Sequence, residues 1–208
     1  MPAQKVQKDV IVRAAIALLD REGLEGVTLR RLAMELRVQA PSLYWHVPDK
    51  ETLLDEMANE ILLERFGDYD FQDDQRDWAL WLSLFAHDLR AAMLAHREAS
   101  RIVAGAHPPI AMTLTRLMDL SIRILHNAGF DYSVAATITI TVTNFCFGYV
   151  IEEQSSPTPS EMSLSEAILP MREFPALRKA MAAWWDEDAN AHFDTAIRMI
   201  VTGARAEL

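Results

Sequence analysis

A single cysteine, Cys146, stands in a chain of 208 residues. No intramolecular disulfide can form, and a reducing compartment is expected. Glycine and proline are sparse, at 7 and 9. With Ala, Leu, Met, Arg and Glu plentiful, that balance favours helix over sheet. No alternation is long enough to make a sheet, and no repeat is present. No apolar run reaches the roughly 18 residues of a membrane span; the longest candidate, 134–151, is interrupted by threonines and Asn144. A secretory apolar region is also missing, because Arg13 and Asp20 interrupt the N-terminal segment. The expectation is a soluble, cytoplasmic, all-α protein with no membrane partner.

The signatures of catalytic and metal chemistry are missing too. The six histidines (His46, His87, His96, His107, His126, His192) show no H-x-x-H, H-E-x-x-H or paired E-x-x-H spacing. No G-x-S-x-G elbow occurs. No catalytic residue, bound metal or cofactor is expected.

Charge and hydrophobicity are what the chain has. Half of its residues are hydrophobic, enough for a substantial core. The net charge is −10, divided unevenly: the first fifty residues sum to +2 and the remainder to −12. A mildly basic head on an acidic body suits a polyanion partner.

Within that head, Ile11, Ala14, Ala15, Leu18 and Leu19 make the stripe of an amphipathic helix, closed by Gly23 and Gly26. Thr28 is a candidate N-cap for a second helix, 29–36. A short connection, "RVQ", leads to "APSLYWH", a helix of about two turns with Pro41 in its first turn. Pro48 stops it, and Asp49 caps a fourth helix, 50–66. Two short helices across a three-residue turn, behind a supporting helix, fit a helix-turn-helix. The reading helix would be 40–46. Leu43 and Val47 face the support, and Ser42, Tyr44, Trp45 and His46 face outward. Lys50 would meet a phosphate where the next helix starts. Thr28, Arg30 and Arg31 would lie near the flanking backbone. Beyond residue 73 the helices become longer and more apolar: 77–95, 110–127, 132–153 and about 190–206. A loop is expected over 154–163, with helix breaks at Pro170 and Pro175.

The stretch "GVTLRRLAMELRVQAPSLYWHVPDKETLLDEM" resembles the DNA-binding domain of the tetracycline-repressor (TetR) family, through T-x-R-x-L-A-x-x-L-x-V-x-x-x-x-L-Y-W-H-V-x-x-K-x-x-L-L over residues 28–54. "LRAAMLAHREASRIVAGAHP" and "NAGFDYSVAATITITVTNFCFGYVIEEQ" resemble the body of the tetracycline repressors themselves. The resemblance spans about residues 8–155. It implies an all-helical homodimer with a helix-turn-helix head, residues 1–50, and a ligand-binding and dimerising body, residues 51–208, joined by a connector helix near 50–66. The dimer would repress transcription by binding a palindromic operator. A small-molecule effector in the body would move the connector and spoil the spacing of the two heads, about 34–36 Å for successive major grooves.

Within the family pattern, Ala40 and Pro41 join the DNA-facing set. Ala40 replaces a glutamine that reads a base in the tetracycline repressors, so a different operator is expected. Arg37 stands where most relatives carry glycine, and is expected to adopt φ > 0 at a cost of about 1 kcal/mol. Val103 stands where those repressors place a histidine on the magnesium that chelates their drug. Valine cannot ligate a metal, so magnesium–tetracycline is not expected to be the effector. The ligand-binding candidates at or near family pocket positions are Phe66, Trp81, Phe85, Leu89, Val103, His107, Met112, Met118, Asn144, Phe147 and Glu152. Without a charged cluster, they suit an apolar or aromatic effector with a few polar anchors. The helix 133–150 carries small and apolar residues around much of its circumference (Ala135, Ala136, Ile138, Ile140, Val142, Phe145 and Gly148) and is therefore expected to bury a second face against a partner subunit. The helix 191–202, through Phe193, Ala196, Ile197, Ile200 and Val201, is expected to do the same. The alternative is a helical-bundle enzyme or carrier with a purely structural head. Salt-dependent duplex binding separates the two.

Overall fold

The computed structural model describes residues 7–71, 76–107, 110–155, 173–185 and 188–208. Among them all regular structure is helical: α1 (Lys8–Glu22), α2 (Leu29–Glu35), α3 (Ala40–Tyr44), α4 (Lys50–Phe66), α5 (Trp78–Leu94), α6 (Ala99–Ala104), α7 (Met112–Asn127), α8 (Tyr132–Ser155), α9 (Pro175–Trp185), α10 (Ala189–Ala204) and a closing 3-10 turn, Arg205–Glu207. The expected all-α architecture is present, with a helix-turn-helix head, a connector and a helical body. Beyond Ser155, the expected loop 154–163 and the break at Pro170 lie outside the described residues.

Caps set the element ends in the head. The Thr28 hydroxyl accepts from the Arg31 amide at 3.2 Å and starts α2. The Asp49 carboxylate accepts from the Thr52 amide at 2.7 Å and starts α4. That backbone hydrogen bond holds the Asp49 carboxyl below its ordinary range. Between α2 and α3, Arg37 sits at φ 54°, the left-handed region expected of it. The buried side chains of α1, with Val27, Leu32, Ala33, Leu43 and Val47, close the head core and join it to α4 through Leu53, Met57 and Ile61.

In the body, α5, α7 and α8 pack on one another, with α4 and α6 against one end and α10 along α5 and α8. Trp81 and Phe85 stack with centroids 6.2 Å apart, and Phe66 lies edge-on to Tyr69. By length and composition α8 could cross a membrane. Seven of its residues, Ala135, Ile138, Thr139, Val142, Thr143, Cys146 and Val150, are instead buried in the bundle. Burial pushes the Cys146 thiol up to about 12, which keeps it protonated and unreactive. The short helix α6 has no sequence signal. It starts after Glu98, itself at φ 54° and giving no side-chain cap.

Candidate nucleic-acid interface

The reading helix α3 is short because its chemistry brackets it. Pro41 sits in its first turn, where an amide hydrogen has no helical acceptor, and Pro48 follows its end. Leu43 and Val47 are fully buried, as the periodicity requires. That anchoring turns Tyr44 and Trp45 out, at 51% and 89% exposure. An indole left 89% exposed forgoes about 1.5–3 kcal/mol of burial, so a core role is ruled out for it. Neither the Tyr44 hydroxyl nor the Trp45 indole N–H has a partner among the described residues, so both are available as donors. Pro41 and Ser42 are exposed beside them, and Ala40 and His46 are half-buried. The Ser42 hydroxyl donates to the Gln39 carbonyl at 2.6 Å, so it presents lone pairs to a ligand.

Basic groups flank this helix. Arg30 is exposed, and Arg31 pairs with Glu22 at 2.5 Å. Lys50 is exposed at the start of α4, its ammonium donating to the Leu24 carbonyl at 3.4 Å. Of the ten predicted DNA-facing residues, Ala40, Pro41, Ser42 and Tyr44 lie on α3, Trp45 and His46 in the turn that ends it, and Arg30, Arg31 and Lys50 on the first turns of α2 and α4. The tenth, Thr28, is half-buried and occupied as the cap of α2.

The connector α4 ties the head to the body through polar side chains on successive turns. Toward α1, Glu56 takes Lys8 at 2.7 Å and Glu60 takes Arg13 at 3.3 Å. Toward the α6–α7 loop, the Asp55 carboxylate is buried and accepts from the His107 amide at 2.9 Å. One turn on, Asn59 Oδ1 accepts from both the amide and the hydroxyl of Thr113, each at 2.9 Å. At its end, Arg65 and the Tyr69 hydroxyl both donate to Asp88 of α5. Burial, then the hydrogen bond to Asp88, raises the Tyr69 phenol to about 12.

The eleven predicted ligand contacts divide between the core and the surface of the chain. Phe66, Trp81, Phe85, Leu89 and Val103 are fully buried core. Met118 and Phe147 are half-buried. Met112, Asn144 and Glu152 are exposed, and His107 is exposed beside Asp55 and Glu51. Helix period explains the split on α8. Asn144 and Glu152 belong to an outward stripe with Ser133, Thr137, Ile140, Thr141 and Gly148, whereas Val142 and Cys146 point inward. The same geometry divides the apolar residues of the two expected dimer helices between faces. Ala135, Ile138, Val142, Phe193, Ile197 and Val201 are spent on the chain's own core, which leaves Ile140, Gly148 and the half-buried Ala136, Phe145, Ala196 and Ile200.

Two family profiles match the chain: the one described as bacterial regulatory proteins, tetR family, over residues 11–57, and the tetracyclin repressor-like C-terminal domain over residues 72–208. The chain belongs to the TetR family. It is 34% identical over 205 residues to the class C tetracycline repressor protein of Escherichia coli, covering 96% of this chain and 90% of that one. Among solved structures, it resembles a possible TetR-family transcriptional regulator from Streptomyces coelicolor A3(2) with a TM-score of 0.81 and 33% identity, over 96% of this chain and 99% of that one. It also resembles BioQ with its natural double-stranded DNA operator, with a TM-score of 0.65 and 25% identity, over 86% of this chain and 96% of that one. As a TetR-family member the chain is a ligand-responsive DNA-binding regulator, and the helix-turn-helix read from the motif is its reading head.

Sequence reasoning missed the buried polar groups of this TetR-family body. The Trp81 indole donates to the Ser121 hydroxyl at 3.0 Å. Thr139 is fully buried, and its Oγ1 has no hydrogen-bond partner. The alternating threonines of "TITITVT" were the available signal. On a helix they fall on different faces, so Thr139 and Thr143 turn inward while Thr137 and Thr141 turn outward. Two surface grooves also went unforeseen. One of about 400 Å³ lies between α5 and α10, lined by Leu80, Ser83, His87, Asp194 and Arg198 among others. Another of about 780 Å³ lies beside α7, at Phe71, Thr115, Arg116, Asp119 and Arg123. Neither contains a predicted ligand contact among the described residues.

Proposed function

We propose that this protein is a cytoplasmic, non-enzymatic transcriptional repressor. It binds a palindromic operator as a homodimer, with residues 1–50 as the DNA-binding domain and residues 51–208 as the effector-binding and dimerising domain. The observation that carries the reading is the exposed Tyr44–Trp45 pair, held out at the end of a five-residue helix by the fully buried Leu43 and Val47. Tyr44, Trp45, Ser42 and His46 meet the duplex in the major groove, with Ala40 and Pro41 at the leading end of the helix. Arg30, Arg31 and Lys50 meet phosphates, and Thr28 fixes the start of α2 beside them.

The effector binds in the body against the Trp81–Phe85 aromatics, and Thr139 Oγ1 supplies a polar anchor, because a buried hydroxyl without a partner is costly unless something bonds it. Effector binding near Val103 and the α6–α7 loop would disturb the bonds that Asp55 makes with that loop and Asn59 with the first turn of α7. The connector would shift, and operator and effector would oppose each other reciprocally.

The test uses a duplex selected by the protein itself from a randomised pool. Trp45→Ala and Tyr44→Ala should each weaken retention of that duplex by about 10- to 100-fold, while circular dichroism and sedimentation stay unchanged. Retention at the wild-type level by both variants would remove α3 from the interface.

A further inference from the structure

His96 lies in the loop between α5 and α6, where head, connector and body meet. Its imidazole is sandwiched between two carboxylates from different elements. Nδ1 is 2.9 Å from Asp20 Oδ2, at the end of α1, and Nε2 is 2.9 Å from Glu64 Oε2, on α4. The side chain is only 15% exposed. The surrounding backbone is gripped as well. The Arg97 amide donates to the other Asp20 oxygen at 3.0 Å, and the Leu24 amide donates to Glu98 Oε2 at 2.8 Å. From α8, the neutral Gln154 side chain donates to the His96 carbonyl at 2.8 Å. The charged groups that face the ring are therefore Asp20 from α1 and Glu64 from α4, with the neutral Gln154 approaching from α8.

Two carboxylate acceptors demand two N–H donors. A neutral imidazole has one. Only the imidazolium satisfies both contacts at once, and only then does this one side chain bridge Asp20 of the head to Glu64 of the connector. We propose that His96, in its doubly protonated form, is a positioning residue that fixes each reading head against the connector helix and so makes operator affinity depend on pH. This rests on the regulator reading above.

The electrostatics agree in direction. Burial opposes the charged ring, but the hydrogen bonds to Glu64 and Asp20, with their charges, more than offset it and leave the His96 pKa raised above its ordinary 6.5. A raised value means that the lock is complete below the ordinary imidazole range and is lost as pH rises through the raised value. Losing it removes the tie at that end of α1, while Lys8–Glu56, Arg13–Glu60 and the shared core still hold α1 to the connector, so the head is held less firmly. Ordering the head again then opposes binding, and affinity falls.

The test follows the His96 ring resonance by NMR in the full-length protein from about pH 6 to 9, and measures affinity for the pool-selected duplex over the same range. Wild type should titrate above the ordinary imidazole value and lose about fivefold or more in affinity across that step. His96→Gln should be weaker throughout and lack the step. Glu64→Gln should also lack it but keep the higher affinity, because the introduced amide can donate to a neutral ring that still donates to Asp20. Helical content and sedimentation check that both variants fold. Titration of His96 at or below 6.5, or a step that survives in His96→Gln, would overturn the proposal. His46, in the reading head, is untouched in both variants, so any titration of its own cancels in the comparison. Failure of every pool duplex to bind at any pH would instead sink the regulator reading, and the NMR titration would still decide the lock.

Discussion

Arg37 shows how one residue records the difference between this chain and its relatives. At φ 54° its Cβ crowds the following carbonyl, at a cost of about 1–2 kcal/mol. Glycine removes that cost but frees the unfolded chain, giving back about 0.4–1 kcal/mol. Arg37→Gly should therefore stabilise the protein by about 0.5 kcal/mol in urea melts, and a loss of stability would mean that the arginine side chain contributes more than its strain costs. Val103 makes a second residue-scale argument. It is fully buried on α6 and offers no donor atom. Magnesium with tetracycline should leave the affinity for the selected duplex unaltered, and metal-dependent release would show that other groups chelate the drug. The caps at Thr28 and Asp49 and the outward Tyr44 and Trp45 were legible in the sequence, because each is decided by chemistry within a few residues, whereas the positive φ of Arg37 was expected only from the family resemblance. The Asp20–His96–Glu64 bridge was not legible. Its members are 32 to 76 positions apart, and no local pattern records a contact that only packing creates.

At the scale of the element, α4 is the informative helix. Its apolar residues Leu53, Leu54, Met57, Ile61 and Leu62 gave it away as an amphipathic connector; four are fully or almost fully buried, and Leu54 is half-buried. Its polar faces were not readable, because Glu56, Asp55, Asn59 and Glu60 look like an ordinary solvated surface until their partners are placed. Asp55 differs in kind from the others. Its carboxylate is only 6% exposed, whereas the side chain of Lys8, paired with Glu56, is 52% exposed. Exposed ion pairs such as Lys8–Glu56 contribute about 0–1 kcal/mol. Removing the acceptor of the His107 amide leaves a donor without a partner, at about 1–3 kcal/mol. Asp55→Ala should therefore lower stability by that amount in urea melts, while Glu56→Ala changes it little. Equal effects would mean that the α6–α7 loop finds another acceptor and that α4 is not tied through Asp55. The helix α6 escaped the sequence for a related reason: six residues carry too little periodicity to announce themselves, and Glu98 at φ 54° is an unusual place to start a helix.

For the whole molecule, the open question is what covers the outer faces of α8 and α10. The stripe Ser133, Thr137, Ile140, Thr141, Asn144 and Gly148 is exposed and carries no charge over four turns, until Glu152 at its C-terminal end. On α10, Met199 is 67% exposed, beside Gly203 and the half-buried Ile200. A Cβ built on Gly148 or Gly203 meets nothing within 4 Å, so neither glycine is required by the chain's own packing. Small, uncharged helix faces allow close approach of another helix, and in a homodimer the same patch serves both subunits. The proposed four-helix interface from α8 and α10 of each subunit accounts for both faces at once. Gly148→Arg separates this from the alternative of faces that simply meet water. Within one chain the substitution has room, and replacing a helical glycine should raise intrinsic helix stability slightly, so folding should be preserved. Across a symmetric interface it would place two guanidinium groups in a dry, uncharged contact, a cost of several kcal/mol. Sedimentation should then show a folded monomer. Duplex affinity should fall steeply with it, because one head reaches only one half-site. A variant that remains a dimer and binds as before would move the subunit interface away from α8.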